Sequence, residues 1–129
     1  MLTDEDRKYI LYEFLRDIWG ISDIEYQMRV WIRGEGPECD DFTETVCHFF
    51  DVFDFIMDNY GDYGISEEQN QLVRKFGEEF EIFSDQYSEA FEFIDTPKWA
   101  EIREKAKEVL KAFNYVKKPF SSGPQKHGN

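Results

Sequence analysis

Apolar side chains recur along this chain at steps of three and four residues, and the runs break at Gly, Pro and Ser/Thr clusters. The first run puts Ile10, Leu11, Phe14 and Ile18 on one face and predicts a helix over Asp4–Trp19. Thr3 is its candidate N-cap, the acids Asp4, Glu5 and Asp6 fill the favourable first turn, and Gly20 is read as its end. Ser22-Asp23-Ile24-Glu25 then has the form of a capping box with Ile21 as the staple, opening a short helix over Asp23–Arg33. A strand over Tyr26–Arg33 is the competing reading, because Tyr, Val, Trp and Ile all suit one. Gly34-Glu35-Gly36-Pro37 is a break.

A third helix is expected over Asp41–Tyr60, where Phe42, Val46, Phe49, Phe53, Ile56, Met57 and Tyr60 share a stripe. Gly61, Tyr63 and Gly64 mark a turn, and Ser66-Glu67-Glu68-Gln69 is a further capping box. After it Leu72, Phe76, Phe80, Phe83, Tyr87, Ala90 and Ile94 keep phase at about 100° per residue, which predicts one long helix over Glu67–Ile94. Gly77 falls inside it at a cost of about 1 kcal/mol. Thr96-Pro97 opens the last helix, with Trp99, Ile102, Ala106, Val109, Leu110, Phe113 and Val116 on its apolar face. The fold class read from this pattern is all-α: a single-domain bundle of about five helices over residues 1–116, with one long acidic amphipathic helix. Residues 117–129, rich in Pro, Gly, Ser and Lys, are expected to be a disordered tail.

Composition adds driving force and a problem. Among 129 residues there are 13 Phe, seven Tyr and three Trp, enough aromatic surface for a core. Between Glu35 and Asp95, however, 18 carboxylates face only two cations, Arg74 and Lys75. The flanks carry −2 over residues 1–34 and +5 over residues 96–129, so the chain's net charge of −13 is concentrated in its middle. Self-repulsion of this kind costs stability. Cys39 and Cys47 do not make a disulfide framework at this length, the N-terminus lacks the form of a signal peptide, and no apolar run reaches bilayer length. The expected setting is the cytoplasm.

Most chemistry is excluded by spacing. A di-metal bundle needs two Glu-x-x-His pairs, whereas Glu44 and His48 are four apart and His127 lies in the tail. Cys39, Cys47 and His48 lack structural-zinc spacing. A calcium loop begun at Asp58 would have Tyr63 at its sixth position and Gln69 at its twelfth, where Gly and Glu belong. Neither a phosphate-binding Gly-rich loop nor a nucleophile elbow occurs. No catalytic residue, metal ligand or cofactor is assigned, and the chain is read as a binding protein rather than an enzyme. A small helical enzyme or metal-binding protein is the alternative from another class, and it would require an inward-facing polar cluster.

The central acids have the pattern of a binding surface. Ordinary exposed helices interleave Glu and Lys four residues apart. The last helix does so, while Glu78, Glu81, Asp85, Glu89 and Glu92 follow one another along a single edge. On the third helix Phe55 falls in the polar sector among Glu44, Asp51, Asp54 and Asp58, as an aromatic anchor ringed by carboxylates would. The candidate partner-binding residues are therefore Glu44, Asp51, Asp54, Phe55, Asp58, Glu78, Glu81, Asp85 and Glu89. Such a surface suits a basic protein and repels nucleic acid. In size, charge and aromatic-acidic helices the chain resembles the immunity proteins of bacterial polymorphic-toxin and contact-dependent growth inhibition systems. That resemblance implies neutralisation of a cognate toxin, often a nuclease, in the cytoplasm, and it transfers no residue roles. A DNA mimic that inhibits a DNA-binding enzyme is the alternative within the same broad class, since acids three to four residues apart on a helix lie about 5–6 Å from one another.

Overall fold

Caps start each of the principal helices. In the structure, a computed structural model that describes residues 1–117, Thr3 Oγ1 accepts from the Asp6 amide (3.0 Å) and Asp6 returns the bond to the Thr3 amide (2.9 Å), which starts α1 (Asp4–Ser22). Asp41 caps α3 (Phe42–Asp58), Ser66 and Gln69 form a reciprocal box at α4 (Glu67–Ser84), and Thr96 caps α5 (Pro97–Ala112). A short α2 (Ile24–Tyr26) runs directly into a π-helical turn over Gln27–Ile32. Two 3₁₀ turns, Tyr60–Tyr63 and Ala90–Glu92, complete an all-α chain with no strand among the described residues. None of its helices is long and apolar enough to cross a membrane. The expected tail, beyond Lys117, lies outside the described residues.

Several boundaries differ from the sequence reading. Gly20 does not stop α1, which continues to Ser22; the glycine is a point of close approach, where an added Cβ would lie 3.4 Å from the Tyr26 ring. Ser22 is not a cap, since its hydroxyl donates back to the Trp19 carbonyl (2.7 Å) and Asp23 accepts from the Tyr26 amide instead (2.8 Å). The strand reading of 26–33 gives way to helix. The π turn brings Gln27, Val30 and Trp31 into the interior alongside Tyr26. α3 ends at Asp58, followed by the 3₁₀ turn and by Gly64 at φ 71, a left-handed position that suits glycine. Val116 lies past the end of α5 and is exposed rather than apolar-faced.

The largest correction is the long helix. α4 stops at Ser84, and residues 85–96 fold back through the 3₁₀ turn. Glu92 Oε1 holds this return by accepting from the amides of Ser88 and Glu89, both at 3.0 Å. The reversal buries Phe93 completely, its ring packed on Phe42, Phe83, Tyr87 and Trp99. A continuous helix would place Phe93 about 140° away from Phe80, on the solvent side. The return puts Phe93 in the core in place of Phe91, which it leaves 72% exposed.

α1, α3, α4 and α5 form a ring of four helices in which each packs on its two neighbours. Neighbours run antiparallel. Phe14 stacks on Phe49 (5.0 Å), the Tyr12 ring lies tilted against that of Tyr115 (5.6 Å), Phe50 stacks on Phe80 (5.8 Å), and Lys105 pairs with Glu79 (2.8 Å). One fully buried polar side chain ties the π-helical turn into the ring. Gln27 Nε2 donates to the carbonyls of Gly20 and Ile21 at the end of α1, both at 2.8 Å, and its Oε1 accepts from Trp99 Nε1 at 2.8 Å. Carbonyls that α1 cannot satisfy internally are thus bonded from the π-helical turn, and the indole N–H of α5 closes the set.

Candidate functional site: an acidic seam and an adjoining cavity

The antiparallel contact between α3 and α4 determines where their acids point. Phe53 lies over Gly77, where an added Cβ would come within 2.5 Å of the ring, Phe50 lies over Phe80, and Arg74 Nη2 donates to the Met57 carbonyl (2.9 Å). Each following residue is turned about 100° from its predecessor, and in an antiparallel pair that turn carries both helices toward the same side of the contact. Asp51, Asp54 and Asp58 on α3 and Glu78 and Glu81 on α4 therefore border one solvent side of the seam, and all five are exposed. Asp85, just past the end of α4, is exposed too.

The two central cations are placed differently, Arg74 beside this edge and Lys75 away from it. The Arg74 guanidinium is held by Asn70 Oδ1 (3.1 Å) and by the Met57 carbonyl, so its charge serves the C-terminal end of α3. Lys75 faces the groove between α4 and α5, beside Glu79 and Lys105. Phe55 is 48% exposed, and its ring meets the Tyr63 ring edge-on (6.3 Å). Glu44 sits in the first turn of α3, exposed. Glu89 does not belong to the α4 face, because it caps the 3₁₀ turn, but the turn is brought back to the start of α3 by the bond from Thr43 Oγ1 to the Ser88 carbonyl (3.3 Å). The structure thus brings eight of the nine sequence-derived residues onto α3, α4 and the end of α4, and moves Glu89 to a turn beside the first of these.

Sequence reasoning missed a second feature. A cavity of about 270 Å³ opens between α1, the loop before α3 and the first turns of α3, lined by Asp17, Trp19, Tyr26, Glu38, Asp40 and His48 among others. Two of its acids are fully engaged. Asp40 accepts from Tyr26 Oη (2.8 Å), Trp31 Nε1 (3.0 Å) and Thr45 Oγ1 (3.0 Å), which fastens the loop onto α2. Glu38 is bidentate with Arg29 (2.8 and 2.9 Å), and this bond holds its carboxyl down to about 2. Burial and then the bond to Asp40 push the Tyr26 phenol up. Asp17, by contrast, is half-buried and has no hydrogen bond or ion pair among the described residues. Burial raises its carboxyl to about 7, with His48 opposing the shift and Asp40 and Glu13 adding to it. The one sequence signal for Asp17 was its phase, about 60° from Phe14 and so at the edge of the apolar stripe of α1.

His48 is exposed, with Nε2 3.6 Å from Glu44 Oε2, and both cysteines are exposed free thiols. Among the described residues no group of three or more His, Cys, Asp or Glu is placed to hold a metal ion. No protein-family model, no curated protein and no solved structure matches this chain.

Proposed function

We propose that this chain is an acidic binding protein that covers a basic site on another protein, and specifically an immunity protein that neutralises a cognate toxin domain, a nuclease being the best fit. The observation that carries this reading is the α3–α4 seam: five exposed carboxylates from two helices on one side, against the single guanidinium of Arg74 among the described residues of those two helices. A nuclease cleft is basic because it binds phosphates, so such an edge is complementary to it. The acids steer encounter, and Phe55 supplies the apolar anchor that slows departure.

The test is whether a toxin-like C-terminal domain is encoded beside this chain and is captured by it, followed by rate measurements. Asp51→Lys with Glu81→Lys should slow association at least tenfold at low salt and flatten its salt dependence. Phe55→Ala should act on dissociation instead. Unchanged association and unchanged salt dependence in the double variant would remove the support for this function.

A further inference from the structure

We propose that the cavity between α1 and the start of α3 is a cation site that receives an arginine or lysine side chain of the basic partner, with Asp17 as its counter-charge and Trp19 as its wall. This rests on the reading of the chain as a binder of basic proteins, and it names a contact the acidic seam does not contain. Two independent observations support it. The first is the state of the three carboxylates in the cavity: Asp40 and Glu38 are saturated by donors, whereas Asp17 has none. A half-buried carboxylate left in this condition lacks a donor that carries charge. The second is that the Trp19 ring, which lines the cavity, already carries an ammonium over its face. Lys117 Nζ lies 4.6 Å from the centre of the Trp19 ring, and its charge is felt at Glu38. An aromatic face beside carboxylates attracts ammonium and guanidinium groups in general, and an apolar stem fits the aromatic walls.

The groups facing Asp17 set the pH response. His48 comes from α3, Asp40 from the preceding loop, and Glu13 and Arg16 from α1 itself. A cation binds the ionised carboxylate, so apparent affinity falls with the ionised fraction as pH drops below about 7.

The test uses the full chain with methylguanidinium, its neutral analogue methylurea, and the peptide acetyl-Gly-Arg-Gly-amide, followed through the Trp19 indole and Asp17 carboxyl resonances. Saturable shifts are expected at pH 8 with methylguanidinium and with the peptide but not with methylurea. They should weaken by about tenfold or more at pH 5.5 and vanish in Asp17→Asn, whose fold is checked by circular dichroism. Equal responses to methylurea, or an unaltered response in Asp17→Asn, would overturn the cation site. Binding of methylguanidinium with exclusion of the peptide would overturn the assignment to a protein side chain. Failure here together with slowed association of the Asp51→Lys/Glu81→Lys variant would refute the cavity contact alone and leave the seam's role standing.

Discussion

At the scale of single residues, the interior of this protein is held by a few polar side chains that have no spare valence. Gln27 is completely buried and satisfies two carbonyls of α1 and the Trp99 indole at once. Gln27→Leu keeps the volume but strands all three groups, and each unsatisfied buried group costs about 1–3 kcal/mol. Urea unfolding should show a loss of about 3 kcal/mol or more with an unchanged slope. Asp17 works in the opposite sense. Its carboxyl ionises near 7 in the fold and near 3.8 in the unfolded chain, so the folded state holds the extra proton between those values. Stability contributed by the protonated form is therefore full below about 4 and is lost as pH rises toward 7 and beyond. Asp17→Asn should leave the melting temperature at pH 4 nearly unchanged and raise it at pH 8. Equal shifts at both pH values would contradict a buried, unpaired carboxylate.

At the scale of elements, the decisive event is the end of α4. A helix continued through residue 94 would bury Phe91, about 20° in phase from Phe80, and expose Phe93. The fold has the reverse: Phe93 is 0% exposed and Phe91 72%. Phe93→Ala should thus cost about 3–5 kcal/mol, while Phe91→Ala should fall within about 0.5 kcal/mol of the parent. Comparable losses at the two sites would argue against the folded-back turn. The α3–α4 contact has its own signature at Gly77. Alanine there gains about 1 kcal/mol of helix propensity. Its Cβ would, however, drive into the Phe53 ring, which is hemmed by Phe14, Phe49 and Phe50. Overpacking of that kind costs about 1–3 kcal/mol, so Gly77→Ala should be neutral to destabilising by about 2 kcal/mol in thermal unfolding despite the better helix former.

At the scale of the whole molecule, charge and binding are in tension. Of the central acids Glu35, Glu38 and Glu79 pair with Arg33, Arg29 and Lys105, while the exposed acids of the α3–α4 edge have no Lys or Arg ion pair among the described residues, and their mutual repulsion opposes compaction. Raising ionic strength from about 10 to 150 mM shortens the screening length to roughly 8 Å and should raise the melting temperature. Glu78→Lys or Glu81→Lys should do likewise in low salt, in the free protein, while slowing capture of a basic partner. A variant that stabilises without slowing association would separate the acidic edge from function.

Much of this architecture was legible in the chain because it depends on local physics. N-caps and capping boxes at Thr3, Ser66 and Thr96 bind neighbouring amides, and helical stripes need only periodicity, so four principal helices and the all-α class follow from spacing alone. The exposure of Phe55 and of the acids around it also follows from phase along one helix. What required the tertiary structure was every decision made between distant segments. Tyr26 against Gly20 turned an apparent stop into a contact, and the aromatic cluster around Trp99 ended α4 ten residues early by drawing Phe93 inward. The antiparallel pairing of α3 with α4 placed two sets of acids on one side. The approach of the loop before α3 to α1 made a cavity around Asp17. Local hydrogen bonds and periodicity are properties of a few adjacent residues, whereas burial is shared among segments far apart in the chain, and only their packing determines which of several nearly equal local choices is kept.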